Sequence, residues 1–285
     1  MIERDSEMLQ ETQRLIEIAL KEDLGTEGDI TSQAILSGDP CTAVLLSKDA
    51  GVLAGISVFG EVLGRVDGAV EATFLREDGA ELVYGDEVAH VRGPDASVLQ
   101  AERTALNFIR FLSGIATATR EYVRAAGETG GALILDTRKT LPGYRSLAKY
   151  AVRVGGGTNH RTGLYDMILI KNNHIDRAGS VEVAVLRCRK RWGSRFRIEV
   201  ECRHMEEVRQ AVDQAVDVVM LDNMPIEQIR EAVAFVGGRL KLEVSGGMDL
   251  DKVRAASAAG VDYISVGAIT HSVRSFDFSL TVRGS

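Results

Sequence analysis

Disulfide scaffolds and zinc knuckles are excluded at once, because the chain has only three cysteines, Cys41, Cys188 and Cys202, unclustered and odd in number. They read as free thiols in a reducing compartment. Long apolar runs are also lacking. None approaches the ~20 residues that a membrane-spanning helix needs, and the opening segment, MIERDSEMLQETQRLIEIALKEDLG, is charged and amphipathic without an apolar signal core. The expectation is a cytoplasmic protein with no membrane partner. Positive charge is short overall: the total is -7 and the pI is near 5.4, which argues against a broad nucleic-acid-binding surface. There is no GxGxxG spacing, no GxxxxGKS/T loop and no GxSxG elbow, so dinucleotide, P-loop and serine-hydrolase readings are disfavoured.

What remains is 285 residues with ordinary hydrophobic content, long enough for one barrel or two modest domains. Residues 6–21 pattern as a helix, with Leu9, Thr12, Leu15, Ile16, Ala19 and Leu20 along one stripe and Gly25 as a stop. Short β-rich runs follow at 43–46, 52–58, 70–75 and 87–91, separated by turns that contain Gly and Asp. Gly28 to Thr31, GDIT, reads as a turn linking helices. A long helix is expected over 96–127, bent at Gly114, with the domain boundary near 112–114. Residues 1–112 then form a small α+β domain and 113–285 a second domain. Arg103 stands beside Glu102 on that helix and reads from its neighbours as a surface arginine.

From Gly131 strands and helices alternate. Strands near 132–136, 166–171, 197–201, 217–222, 240–244 and 261–266 imply a parallel sheet with crossover helices. Six units are visible where a closed barrel needs eight. Residues 136–177 hold eight Lys/Arg against three Asp, a local charge of +5, so an anionic ligand is expected there. Ligands of parallel α/β folds bind at the carboxyl ends of strands. Those ends carry, in order, Asp136/Arg138/Lys139, Lys171/Asn173/His174, Glu199/Glu201, Asp222/Asn223, Glu243/Ser245/Gly246/Gly247, and Gly267 with Thr270/His271.

This polar rim divides by charge. Arg138, Lys139, Arg161 and Lys171 are cations, with His160 and His174 adjacent. Glu201 and Asp222 suit a magnesium ion shared with substrate phosphates. Ser245, Gly246, Gly247 and Gly267 offer backbone N–H groups to a phosphate. Glu199 and Glu201 have the same strand parity, and one of them is free to pair with Lys171 instead. His271 reads equally well as a helix cap, His90 and His204 read as structural, and the basic run at 187–191 as a solvated helix end.

Linked motifs carry a resemblance over nearly the whole chain. EDLGTEGDIT, AERTALNFIRFLSGIAT, LDTRKTLPGYR, GGGTNHRTGLYDMILIKNNH, IEVEC, VMLDNM, LEVSGGM and VDYISVGAITHS resemble the quinolinate phosphoribosyltransferase family. Leu141 stands where the family commonly has threonine, and Tyr144 where leucine is usual; neither removes a charge. The resemblance implies an N-terminal α/β sandwich followed by an open, about seven-stranded α/β barrel, with the C-terminal tail able to return to the first domain. It implies conversion of quinolinate and phosphoribosyl pyrophosphate to nicotinate mononucleotide, pyrophosphate and carbon dioxide in NAD biosynthesis, with Mg2+. Arg138, His160, Arg161 and Lys171 are then the quinolinate ligands, joined by Arg103 from a neighbouring subunit of a homodimer or hexamer. Lys139, Glu201, Asp222, Ser245, Gly246, Gly247, Gly267 and His271 are the phosphoribosyl pyrophosphate ligands, with Glu201 and Asp222 on the metal. Lys139, Lys171, Glu201 and Asp222 are the residues expected to act in catalysis. Two other readings stay open, a paralogous transferase of the same fold and a non-catalytic anion sensor. Retention of the cations counts against the first, and of Lys139, Glu201 and Asp222 against the second.

Overall fold

The computed structural model describes residues 2–283. The chain opens on α1 (Ile2–Leu24), where Thr12, Ile16 and Leu20, four residues apart, are buried and Leu9 is exposed. The buried stripe is narrower than the periodicity suggests. Asp29 of GDIT caps α2 (Ile30–Ile35), accepting from the Thr31 and Ser32 amides at 3.0 and 3.1 Å. It therefore satisfies helix-end donors that a plain turn leaves open. Next come β1 (Pro40–Ser47), β2 (Gly51–Val52), α3 (Ile56–Val66), β3 (Glu71–Phe74), β4 (Glu81–Leu82) and β5 (Glu87–Pro94). The run 52–58, expected as a strand, is split. Gly55, at φ 91°, ends the extended segment and starts α3, whose Ile56, Val58, Phe59, Val62 and Leu63 are buried. A short apolar run cannot by itself separate strand from helix.

Helix α4 (Asp95–Gly127) is continuous through Gly114. A Cβ at Gly114 would meet the Arg274 carbonyl oxygen at 2.4 Å, so the glycine serves close approach of two backbones and not a bend. Further along the chain lie β6 (Leu133–Leu135), α5 (Arg145–Val154), β7 (Ile168–Ile170), α6 (Asn172–Ala178), α7 (Val181–Trp192) and β8 (Ile198–Cys202). The rest is α8 (Met205–Asp213), β9 (Val218–Asp222), α9 (Ile226–Val236), β10 (Lys241–Ser245), α10 (Leu250–Ala259), β11 (Tyr263–Ser265), α11 (Ala268–His271) and β12 (Phe278–Arg283).

Two compact units result. The first takes Met1–Arg120, Leu141–Gly156 and Val273–Ser285, and the second Glu121–Thr140 and Gly157–Ser272. The expected division at 112/113 falls inside α4, which the first unit carries to Arg120, and α5 also joins that unit. Tyr144 shows why α5 belongs there: its ring stacks 6.0 Å from Phe108 and meets Phe111 edge-on at 5.3 Å. The first unit holds an antiparallel sheet in the order β12-β1-β5-β3, in which β12 pairs with β1 from Thr42↔Arg283 to Ser47↔Phe278.

The second unit holds a parallel six-stranded sheet, β6-β11-β10-β9-β8-β7. All six strands fall where the alternating pattern puts them. In place of a seventh strand there is one parallel bridge, Leu135↔Thr158, on the far side of β6. The strand bodies are mostly apolar and buried, as expected for parallel strands covered by helices on their outer face, with Glu199, Glu201 and Glu243 as buried charged exceptions.

One ion cluster built on the buried Glu207 stabilises this unit outside the site. Glu207 accepts from the Arg203 amide at 2.7 Å and from its guanidinium at 2.5 Å, and Arg203 reaches Asp176 at 2.9 Å. Burial pushes the Glu207 carboxyl up, but the Arg203 hydrogen bonds outweigh it and leave it below its ordinary value of 4.5. A depressed carboxyl contributes stability above its unfolded pKa and loses it as pH falls. Glu207→Ala is expected to cost about 1–3 kcal/mol at neutral pH by removing the hydrogen bonds from the Arg203 amide and guanidinium. Urea melts repeated below the ordinary glutamate range should show that gap narrowing; a pH-independent gap would contradict the ion-pair account.

Candidate active site

Strand register decides which side chains share a face. The pairs Leu169↔Glu199, Glu201↔Met220, Met220↔Glu243, Asp222↔Ser245 and Glu243↔Tyr263 are in register. Side chains alternate along a strand, so Glu199, Glu201, Asp222, Glu243, Ser245 and Ser265 lie on one face of the sheet. Glu199 is 1% exposed, Glu243 2% and Glu201 8%. Three carboxyl groups at that depth need partners.

His160 meets two of them. Its Nε2 is 3.0 Å from Glu199 Oε2 and 3.6 Å from Glu243 Oε2, and Ser265 Oγ donates to Glu243 Oε1 at 2.5 Å. Burial and the neighbouring Glu199 push the Glu243 carboxyl well above the usual range. It stays protonated at pH values where an exposed glutamate is ionised. Asp136, at the end of β6 and fully buried, accepts from Asn159 Nδ2 at 2.6 Å and from the His160 amide at 2.9 Å. The Arg161 amide donates to His160 Nδ1 at 2.7 Å. Asp136 is therefore an internal anchor for the loop that carries His160 and Arg161.

The cations gather around that loop. Burial, followed by the like charge of Arg138, pulls the Arg161 guanidinium down from its ordinary value, against the opposite charges of Glu199 and Asp166. Placing two guanidinium groups close together is unfavourable unless anionic charge joins them, which is the electrostatic mark of a carboxylate or phosphate site. Arg161 also donates to the Met167 carbonyl at 3.1 Å. Asp166 accepts from the Thr162 and Gly163 amides at 2.7 and 3.2 Å, turning the chain between Arg161 and β7. Lys171, just past β7, lies 3.1 Å from Glu201 Oε2 and keeps about half its side chain exposed.

A second cluster lies at the ends of β9, β10 and β11. Asp222 accepts from Ser245 Oγ at 2.7 Å and from Asn223 Nδ2 at 2.9 Å. Asn223 takes a left-handed conformation, φ 54°, and its amide donates to the Ser245 carbonyl at 3.0 Å. Gly246 and Gly247 follow at φ 107° and 52°. A Cβ on Gly267 would lie 3.1 Å from the His271 ring and 3.4 Å from Lys139 Cδ, so these three residues converge. Thr270 Oγ1 fixes the Lys139 carbonyl at 2.9 Å.

Most residues expected at the site are thus brought into two linked groups within the second unit. Glu201, not Glu199, takes Lys171. His174 serves as a cap, its Nδ1 accepting from the Lys171 amide at 2.9 Å. His271 closes α11 and contacts Ser272 Oγ at 2.8 Å. Arg103 belongs to the first unit, is exposed, and forms no ion pair among the described residues. In that unit it lines a cavity of about 490 Å³ with Lys48, Glu102, Arg110 and Asp277. The sequence reading gave Asp136 and Glu243 no role and missed Lys252, whose Nζ donates to the Gly247 carbonyl at 2.9 Å. The odd-position spacing of carboxylates in β8 and β10 was the available signal for the His160 partners.

Glu201 and Asp222 could hold a divalent cation. Both are oxygen donors on one face of adjacent strands, and two carboxylates leave the remaining positions to water and substrate. A different trio, His160, Glu199 and Glu243, has ligand atoms within 4.8 Å of one another. Its burial and its Ser265-bound, raised carboxyl suit a hydrogen-bonded anchor better.

Comparison with known proteins agrees with this geometry. Family models described as the N-terminal and C-terminal domains of quinolinate phosphoribosyl transferase match residues 29–113 and 115–281. A probable nicotinate-nucleotide pyrophosphorylase (carboxylating) of Bacillus subtilis is 44% identical over 92% of this chain and 90% of its own. The chloroplastic nicotinate-nucleotide pyrophosphorylase (carboxylating) of Arabidopsis thaliana is 38% identical over 94% of this chain and 82% of its own. The structure of the Francisella tularensis nicotinate-nucleotide pyrophosphorylase superposes with a TM-score of 0.92 at 40% identity, covering 96% of both chains. The chain belongs to the quinolinate phosphoribosyltransferase family.

Proposed function

We propose that this protein converts quinolinate and phosphoribosyl pyrophosphate to nicotinate mononucleotide, pyrophosphate and carbon dioxide. The observation that carries the reading is one rim holding two guanidinium groups whose like charges act on each other, Arg138 and Arg161, together with a carboxylate and glycine cluster, Asp222, Ser245 and Gly246. The first group suits a dicarboxylate and the second a phosphorylated ribose.

The roles follow from charge. Arg138, Arg161 and Lys171 hold the quinolinate carboxylates, and the ring nitrogen is thereby presented to the anomeric carbon. As pyrophosphate leaves, positive charge grows on the ribose, and Glu201 and Asp222 are the carboxylates able to stabilise it. Glu201 and Asp222 would also be the residues to hold a magnesium ion, which would supply positive charge to neutralise the leaving group. Lys139 meets the phosphoribosyl donor beside Gly267 and His271. Once the nitrogen is alkylated it withdraws electrons from the ring carbon that bears the adjacent carboxylate. The C–C bond pair stays on that carbon as carbon dioxide departs, and a proton then replaces it. Lys171 and Arg138 balance the charge, so no covalent enzyme intermediate is needed.

The direct test incubates the purified full chain with quinolinate, phosphoribosyl pyrophosphate and magnesium. Nicotinate mononucleotide is the expected product. Its absence, with nicotinate tried in place of quinolinate as well, would overturn the reading in favour of a paralogous substrate or a sensor.

Arg103 supports a shared site, since it is an exposed cation without an ion-pair partner among the described residues. We read it as the contribution of a second copy in a homo-oligomer. Mixed oligomers of inactive Arg103→Ala and inactive Lys139→Ala chains are expected to regain part of the activity, because one of the mixed sites keeps both cations. No recovery in verified mixtures would place the whole site in one chain. As to location, no helix among the described residues is long and apolar enough to cross a membrane.

A further inference from the structure

Both ring nitrogens of His160 face groups inside the protein. Nδ1 accepts the Arg161 amide at 2.7 Å, while Nε2 faces Glu199 at 3.0 Å and Glu243 at 3.6 Å. A ring whose Nδ1 acts as acceptor carries its proton on Nε2, the ring atom that lies nearest the carboxyl pair. The two carboxyl groups are too deeply buried, at 1% and 2% exposure, for a ligand to touch. They are also mounted within β8 and β10, whereas Arg161 rides on an irregular segment between α5 and β7.

We infer that Glu199 and Glu243 are positioning residues, which grip the His160 ring at Nε2 and, through Nδ1 of that ring, fix the peptide of Arg161. The inference rests on the reading of Arg161 as a carboxylate ligand. The loop is then pinned three times within two residues: Asp136 holds the His160 amide, the carboxyl pair holds the ring, and the ring holds the Arg161 amide. Ser265 completes the chain by holding Glu243 at 2.5 Å. Strand-borne anchors give a loop-borne guanidinium the precision that its own backbone does not supply.

The test varies the acceptor. Glu199→Leu removes it, whereas Glu199→Gln keeps a carbonyl oxygen for the Nε2 proton. Because a displacement of about 1 Å costs on the order of a hundredfold at a reacting centre, the leucine variant is expected to raise the quinolinate KM at least about tenfold. Its phosphoribosyl pyrophosphate KM should stay within about twofold, and the glutamine variant should recover to within about threefold of the parent. In 15N-histidine spectra of the parent, which has five histidines, His160 should show the Nε2–H form with a slowly exchanging proton, and the leucine variant should lose that signal.

An unchanged quinolinate KM in a folded leucine variant, or glutamine as damaging as leucine, overturns the inference. So does a proton found on Nδ1, which decides the matter even if the leucine variant does not fold. A stoichiometric transition metal in the purified parent also overturns it, since these three side chains would then be ligands. If the parent makes no product at all, the proposed function fails, and the spectra still judge the His160 clamp separately.

Discussion

Arg161→Ala is expected to lower kcat/KM for quinolinate by at least about a hundredfold while leaving the fold intact. A charge-assisted hydrogen bond to a carboxylate contributes roughly 1.5–3 kcal/mol, and each 1.4 kcal/mol is about tenfold. Arg161 is capable of two such bonds, because a guanidinium fork meets a carboxylate bidentately. Its contribution to folding is small by comparison. Its side chain makes one hydrogen bond among the described residues, to the Met167 carbonyl at 3.1 Å, and its removal relieves repulsion from Arg138. Stability should therefore hold or rise slightly, which is the usual sign of charge kept for binding at the expense of folding. Steady-state kinetics beside a thermal melt checks both halves. Activity within threefold of the parent would remove Arg161 from the site.

Gly246→Ala is expected to damage both stability and use of phosphoribosyl pyrophosphate. At φ 107° an L side chain is strained, at a cost of about 1–3 kcal/mol. The added Cβ would also lie 2.3 Å from Asn223 Oδ1 and 2.9 Å from the Asn223 amide nitrogen. Asn223 donates to Asp222 and its amide donates to the Ser245 carbonyl, so relief of the clash displaces Asp222 as well. The expected result is a fall in Tm of several degrees, with KM for phosphoribosyl pyrophosphate raised at least about tenfold. Gly247→Ala is the milder control. At φ 52° it enters the ordinary left-handed region, and its Cβ would meet nothing closer than Lys252 Nζ at 3.8 Å. Equal behaviour of the two variants would refute the claim that close packing against Asn223 shapes this turn.

The strand positions of the second unit were legible because the buried strands are rich in Val, Ile, Leu and Met. Their polar ends stood out against those residues. That contrast sufficed to nominate Arg138, Lys139, Lys171, Glu201, Asp222 and Ser245 for one rim. The first unit was harder to read. The run 52–58 has an apolar content that suits either secondary structure, and only Gly55 in a left-handed conformation turns it from strand into helix. Gly114 was read as a bend because glycine weakens helices. The Arg274 backbone that requires it is 160 residues further along the chain.

By itself the sequence determined the alternation of elements, the charge division of the rim and the family. These are carried by local periodicity and by contiguous motifs, which need no knowledge of the fold. Only the tertiary structure decided that Glu201 serves Lys171 while Glu199 and Glu243 serve His160, and that Asp136 is an anchor and not a ligand. Parity along one strand says which side a residue faces. Register between strands says which residue it meets, and that register is set by the packing of the whole sheet.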